Sequence, residues 1–212
     1  MTTTSHAPFS LRSIAVPAFG PALLFSIGEG AILPVVALSA RDLGASVAVA
    51  ALIVTLIGLG SWFFNLPASL ITLRFGERWA MVGAAAASTV ALAAAALSPL
   101  LPEGIWLLAA AMVVVGMAAS VFSLARQKYL TEAVPVIIRA RALSTLGGVN
   151  RIGIFIGPFI GAAVMQFSGI TGAYWVGAVV LRGLGHEVRD AYRQYGGRGH
   201  GDGAHPVGAR DA

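Results

Sequence analysis

Long apolar runs with almost no charge constrain this chain more than any other feature of its sequence. Between Leu43 and Leu73 there is no charged residue. Between Ile14 and Ala40 only Glu29 is charged. Both runs exceed the roughly 20 apolar residues that a helix needs to cross a bilayer core. Charged residues make up 11% of the chain, too few for a soluble surface, which uses about 25%. The composition therefore excludes a typical cytoplasmic enzyme and extensive disorder, and it indicates an integral membrane protein.

The apolar runs predict an all-α integral membrane fold of six helices, five full spans and one short one. The five full runs cover residues 14–40, 43–73, 79–101, 104–125 and 142–166. A sixth run begins near Phe167 but meets Arg182 before it reaches the length of a full span. We therefore expect a cytoplasmic N-terminus over residues 1–13, a membrane bundle over residues 14–181, and a tail over residues 182–212. The tail is rich in Gly and Arg, and we expect it to be partly disordered after a short interfacial helix.

The basic residues outside the apolar runs predict the orientation of the bundle. If the N-terminus is cytoplasmic, the outer loops contain only Arg41. The cytoplasmic segments then contain seven basic residues: Arg12, Arg74, Arg78, Arg126, Lys128, Arg139 and Arg141. Because cytoplasmic loops carry the excess of Lys and Arg, we expect a multi-pass protein of an inner (plasma) membrane with a cytoplasmic N-terminus. The first run is too long for a signal-peptide core and is interpreted as a retained helix, with a cleaved signal as the alternative.

The net charge of +5 does not indicate a nucleic-acid partner. The basic residues lie at the ends of apolar runs and form no continuous basic face for phosphates. The chain has no cysteine, which excludes disulfides and thiolate metal sites. The sequence offers no convincing nucleophile–base pair, phosphate loop or metal-ligand set, and we expect His200, Asp202 and His205 to be solvated in the tail. We therefore expect neither an enzyme nor a bound metal or cofactor.

The loop between the second and third spans, residues 69–78, contains Arg74, Gly76 and Arg78. Their spacing resembles the Gly-x-Leu-Ala-Asp-Arg-x-Gly-Arg-Arg motif of the major facilitator superfamily of transporters. In that family the acidic residue helps to latch the cytoplasmic side of the two halves, and this chain has Leu73 in its place. The resemblance therefore does not carry the latch over to this chain. A short inside loop with two snorkelling arginines is the alternative interpretation.

The fifth span contains Gly153, Gly157 and Gly161, one glycine every four residues, with Pro158 between the last two. This run resembles the Gly-x-x-x-Gly-Pro-x-x-Gly-Gly signature of proton-coupled antiporters in the same superfamily. Glycines at this spacing form a smooth stripe on one helix face, and a proline bends the helix. A bent helix with a flat face can pivot against a partner, which alternating access requires. A static packing motif is the alternative.

These two resemblances imply the N-terminal half of a transporter that normally has twelve spans, most like the drug-efflux branch. They imply proton-coupled efflux of a small lipophilic molecule, with the lipid bilayer, the substrate and the proton as partners. The substrate path in this architecture lies between two six-helix units, so an active chain needs another copy, as in a homodimer, or a separate second half. The alternative is a truncated, non-transporting membrane fragment or membrane interaction protein. Because the sixth run is cut short, our hypothesis is that the tail from Arg182 replaces the family's continuation through truncation or a shifted reading frame.

Glu29 and Arg151 are the two ionisable residues that the sequence places deep within spans. An unpaired charge at that depth is costly, so each residue is a functional candidate. One hypothesis makes Glu29 the proton-coupling carboxylate, at which a cationic substrate competes with the proton. A second hypothesis is a structural ion pair between Glu29 and Arg151, because the helical rise places both at similar depth. A third is that both line a solvated cavity without a special role.

Overall fold

The computed structural model of the chain describes residues 11–196. The predictions for residues 1–10 and 197–212, including the solvated His200, Asp202 and His205, lie outside the described residues. Within residues 11–196 the backbone is helical apart from short connections, and it contains no strand. The helices are α1 (Leu11–Asp42), α2 (Val47–Leu97), α3 (Gly104–Ala133) and α4 (Arg139–Gly196), with single 3-10 turns at Ser98–Leu100 and Val136–Ile138.

In this part of the chain, four helices are long and apolar enough to cross a membrane. This finding confirms the prediction of an all-α membrane fold. Helix α2 has 51 residues and α4 has 58 residues. At about 1.5 Å per residue, each would extend for roughly 75 Å or more, against a hydrocarbon core of roughly 30 Å. Neither helix therefore fits across one bilayer as a straight rod.

One glycine with non-helical backbone angles interrupts each of the two long helices. These are Gly76 in α2 (φ 78°, ψ 162°) and Gly169 in α4 (φ 70°, ψ 178°). Each glycine divides its helix into a first and a second segment. The segments cover residues 47–75 and 77–97 of α2 and residues 139–168 and 170–196 of α4. The sequence predicted six separate helices. The structure has four, because each of two predicted boundaries consists of a single glycine in the left-handed region.

A side chain at Gly76 should strain the backbone conformation that interrupts α2. We expect Gly76→Ala to lower the free energy of unfolding by about 1–3 kcal/mol, because these backbone angles are almost restricted to glycine. Gly83→Ala is the matched control in the second segment, since Gly83 is helical and exposed and a Cβ there meets nothing within 4 Å. Thermal unfolding in detergent measures the difference. Equal melting temperatures for the two variants would contradict the strained conformation.

The helices approach one another closely at glycine residues, as is common in lipid, where small residues allow tight backbone packing. The first segment of α2 packs against α3, and a Cβ at Gly60 would lie 2.5 Å from the carbonyl oxygen of Val113. The second segments of α2 and α4 pack together, and a Cβ at Gly177 would lie 3.0 Å from the Leu92 side chain. Helix α1 packs mainly along α4. All four helices contribute to one main hydrophobic cluster, and a smaller second cluster lies between α1, the end of α3 and the start of α4.

Helix α4 continues beyond the point at which the sequence predicted the sixth span to end. It extends to Gly196, and Leu184 and Val188 belong to the main hydrophobic core. These two residues lie one helical turn apart, so both face the bundle. Arg182 is exposed on the same stretch of helix, and its charge does not end the packing. The packed bundle therefore extends past residue 181.

An ion pair joins two helices at the end of the bundle that carries Gly76 and residues 134–138, which we call the basic end. Lys128 Nζ lies 2.5 Å from Glu77 Oε1 and 3.7 Å from Glu132 Oε1. Glu77 begins the second segment of α2, and Lys128 lies near the end of α3. The pair therefore holds the break in α2 against α3. By the distribution of basic residues, this end is the predicted cytoplasmic one.

Candidate functional site

The glycine stripe of α4 forms the interface with α1. Gly153, Gly157 and Gly161 are all buried. A Cβ at Gly153 would lie 2.6 Å from Ser26 Cβ, and one at Gly157 would lie 2.6 Å from the backbone nitrogen of Ala31. Gly161 approaches the backbone of Ala31 as closely. Because the contacts advance along both helices together, α1 and the first segment of α4 run in the same direction.

Pro158 lies within this segment of α4 and is half-buried. Among the described residues of α4, non-helical backbone angles occur at Gly169 and not at Pro158. The helix therefore passes through the proline, and the main break in its path lies 11 residues further on. A pivot at Pro158 stays a prediction.

An apolar cavity of about 310 Å³ lies between α1 and the helices that surround it. Its wall is made almost entirely of aliphatic and aromatic side chains, for example Ile32, Leu92 and Tyr174. Gly161 of the α4 stripe also lines it. Glu29 is the charged residue on this wall, and no other charged side chain of the described chain lines the cavity. The cavity therefore suits an apolar group, with one carboxyl group at its edge.

A second cavity of about 200 Å³ lies beside the first and has a polar wall. The polar and charged residues on that wall are Glu29, Ser61, Asn65, Ser120, Ser123, Arg126, Gln127 and Asn150. Phe25, Glu29 and Ala119 line both cavities. Glu29, which is half-buried, therefore lies at the junction of an apolar space and a polar one.

Arg126 is the charged residue that faces Glu29 from another helix. The residue is only 6% exposed. One nitrogen, Nη2, donates a hydrogen bond of 3.3 Å to Asn150 Oδ1, which also accepts from the Ser26 hydroxyl. Nε and Nη1 are buried and have no hydrogen-bond partner within the described residues. The guanidinium carbon lies 5.6 Å from the centre of the Phe122 ring.

The sequence placed Arg126 in a cytoplasmic loop, and the structure corrects this. Helix α3 continues to Ala133, so Arg126 lies inside the helix, one turn after the fully buried Phe122. Phe122 stacks on Phe25 of α1 with ring centroids 4.1 Å apart. A residue four positions after a core aromatic shares its face, and this spacing is the signal by which Arg126 could have been found.

The structure does not bring Arg151 and Glu29 together. The Arg151 side chain is exposed, and the ion pairs of the described chain involve Lys128 instead. Gly153 faces α1, and two residues along a helix correspond to a rotation of about 200°. Arg151 therefore points away from α1, and the predicted Glu29–Arg151 ion pair is absent from this structure.

The loop motif lies apart from the two cavities. Arg74 is exposed at the end of the first segment of α2, and Gly76 forms the break. The guanidinium carbon of Arg78 lies 5.6 Å from the centre of the neighbouring Trp79 ring. None of these residues lines either cavity. The motif therefore belongs to the basic end, and Glu29 and Arg126 form a separate site.

One family profile matches most of the described chain. The profile of the Major Facilitator Superfamily matches residues 19–182, a stretch that contains every residue lining the two cavities. The chain belongs to this superfamily. Comparison with curated proteins and with solved structures gave no match. Members of the superfamily are membrane transporters and not enzymes, so the family match supports membrane transport as the general function.

Proposed function

We propose that this superfamily member is half of a proton-coupled exporter of small lipophilic molecules, and that Glu29 carries the coupling proton. The observation that carries the proposal is the position of Glu29, which lines an apolar cavity and a polar cavity at the same time. In the candidate span Phe19–Asp42, Glu29 follows Phe19 by ten residues, a rise of about 15 Å and half the thickness of a bilayer core. An ionisable group at that depth is kept for a function.

In this proposal the two cavities have different roles, one for the substrate and one for the proton. When Glu29 is protonated it is neutral and compatible with the apolar cavity, which accommodates the lipophilic part of a substrate. When a cationic group of the substrate contacts Glu29, the carboxylate form is favoured and the proton leaves through the polar cavity. Asn65, Gln127 and Asn150 line that route with hydrogen-bonding groups. Substrate and proton thus compete for one residue, which is the condition for exchange.

The topology that we propose has six spans, with the chain reversing at Gly76 and at Gly169. The basic end then faces the cytoplasm, and the N-terminus lies on the same side in an inner (plasma) membrane. The exposed face of the first segment of α4 carries Arg151 with Phe155 and Phe159, which are 71% and 66% exposed. A charged residue on a lipid-facing surface is costly. We therefore assign this face to the substrate path between this unit and a second one, another copy or a separate second half.

A non-transporting membrane fragment is the second candidate. This candidate is favoured by Leu73, which stands in place of the acidic residue of the family motif. Without that residue, the resemblance does not imply the latch that would join this unit to a second one. Light scattering of the purified chain in detergent separates the two candidates by mass. A dimer supports the transporter, and a monomer without transport activity supports the fragment.

Transport is tested with the full chain in proteoliposomes that contain a pH-sensitive dye and an imposed pH gradient. The probes are tetraphenylphosphonium, phenylalaninamide and phenylalanine, each added separately. We expect at least one probe to speed the decay of the gradient relative to protein-free vesicles, since each imported molecule releases a proton in exchange. If no probe changes the decay, although nigericin collapses the gradient normally, the proposed function is wrong.

A further inference from the structure

Two opposite charges face the polar cavity without pairing with each other. Glu29 and Arg126 both line it, and neither takes part in an ion pair of the described chain. Arg126 is 6% exposed, and its Nε and Nη1 lack hydrogen-bond acceptors within residues 11–196. Asn150 supplies one amide oxygen to the third nitrogen, at 3.3 Å. A buried cation with so few acceptors is costly unless a ligand supplies them.

The guanidinium of Arg126 determines which kind of ligand group can accept its free hydrogen bonds. A guanidinium binds oxyanions through charge-assisted hydrogen bonds, and a carboxylate matches its planar geometry. A simple anion would place its charge beside Glu29, which opposes binding whenever Glu29 is ionised. A simple cation would pair with Glu29 and leave Arg126 without acceptors. A ligand that carries both charges meets both needs and keeps the site neutral.

We propose that this site takes an amphiphilic zwitterion of the α-amino acid type with an apolar side chain. The carboxylate contacts Arg126 and Asn150, the ammonium contacts Glu29, and the apolar group lies in the cavity of about 310 Å³. The two cavities meet at Phe25, Glu29 and Ala119, so one molecule can occupy both. This assignment rests on the proposed function, because the ammonium is the group that displaces the proton from Glu29.

Three ligands that share one side chain test the proposal by binding alone. L-Phenylalanine carries both charges, L-phenylalaninamide only the ammonium, and N-acetyl-L-phenylalanine only the carboxylate. Binding to the purified full chain is measured by isothermal titration calorimetry. We expect phenylalanine to bind about tenfold or more tightly than either analogue, because each analogue leaves one charge of the site unpaired. Binding of the amide as tight as that of phenylalanine, or no binding of any of the three, overturns the proposal.

Substitutions at Arg126 test whether this residue binds the carboxylate of the ligand. Arg126→Gln should lower phenylalanine affinity by about tenfold without lowering the affinity for the amide, because it also removes a positive charge near the bound ammonium. Arg126→Lys, which keeps the charge and loses the planar geometry, should give an intermediate affinity. Arg141→Gln removes an exposed arginine outside both cavities and should bind all three ligands like the unmodified chain. An equal loss for phenylalanine and the amide in Arg126→Gln contradicts the assigned role.

The binding experiment tests the ligand class, and the transport experiment tests the proton coupling, so either proposal can be wrong without the other. If phenylalanine binds with the expected preference but no probe moves protons in vesicles, the proposed coupling is wrong and the ligand class stands. If protons move with the amide or with tetraphenylphosphonium but phenylalanine does not bind preferentially, the ligand class is wrong and the coupling stands. If Arg126→Gln does not fold, the comparison of the three ligands on the unmodified chain still decides.

Discussion

Gly157→Leu should prevent α1 from packing against α4, and it should strongly destabilise the protein. A Cβ at Gly157 would lie 2.6 Å from the Ala31 nitrogen and the Ile27 oxygen. Both atoms belong to the backbone of α1, so no side-chain rotation relieves the overlap. We expect Gly157→Ala to lower the free energy of unfolding by about 1–3 kcal/mol, and Gly157→Leu by about 3 kcal/mol or more.

The matched controls are Gly148→Ala and Gly148→Leu on the same segment of α4. Gly148 is exposed, and a Cβ there meets nothing within 4 Å. Replacing this glycine by alanine should be neutral or stabilising by up to about 1 kcal/mol, because alanine is the better helix former. Thermal unfolding followed by tryptophan fluorescence, with gel filtration in detergent, measures both series. If the two positions respond alike, the close α1–α4 contact is absent from the folded protein.

Glu29→Gln should abolish substrate-dependent proton movement in proteoliposomes and leave the protein folded. Glutamine has nearly the same shape and keeps a hydrogen-bonding group at the junction of the cavities, but it does not release a proton. The measurement is the decay of the imposed pH gradient on addition of whichever probe is active with the unmodified chain. We expect the decay to return to that of protein-free vesicles, because no other carboxyl group lines either cavity in the described chain.

The matched control for this variant is Glu103→Gln. Glu103 is exposed next to the start of α3, at the opposite end of the bundle from Gly76, and its side chain makes no capping hydrogen bond. Its replacement should leave both stability and proton movement unchanged. Coupled proton movement in Glu29→Gln at the rate of the unmodified chain would rule out Glu29 as the coupling residue.

The features set by hydrophobicity and residue size could be predicted from the sequence. The apolar runs indicated a helical membrane protein, and the four-residue spacing of Gly153, Gly157 and Gly161 indicated a packing face. Spacing alone did not identify α1 as the partner of that face, because the interface depends on tertiary contacts distant in sequence. The break at Gly76 was predicted as an ordinary loop, and the break at Gly169 as a boundary between the fifth and sixth apolar runs near Phe167. Their single-residue length depends on backbone angles that the residue pattern does not specify.

The charges of the site were harder to predict, because the direction of a side chain depends on its helix phase. Arg151 lies well inside an apolar run, so the sequence placed it with Glu29, but the α4 stripe faces α1 and turns Arg151 outward. Arg126 follows the last residue of an apolar run, so the sequence placed it in a loop. The structure continues α3 through it and buries it, since Phe122 one turn earlier faces the core. A run boundary records where hydrophobicity ends, and a helix can continue past it.

The parallel pairing of α1 with the first segment of α4 has a consequence for biosynthesis. Ser26 meets its partner Asn150 across 124 residues of chain. At about 5–20 residues per second, the ribosome needs roughly 6–25 s to make that stretch. Throughout this interval α1 lies in the membrane without α4, the helix that covers its glycine-contacting face. The cavities around Glu29 have not yet formed. The nascent chain therefore needs a temporary neighbour for α1, either α2 and α3 or a component of the insertion machinery, before the native bundle can form.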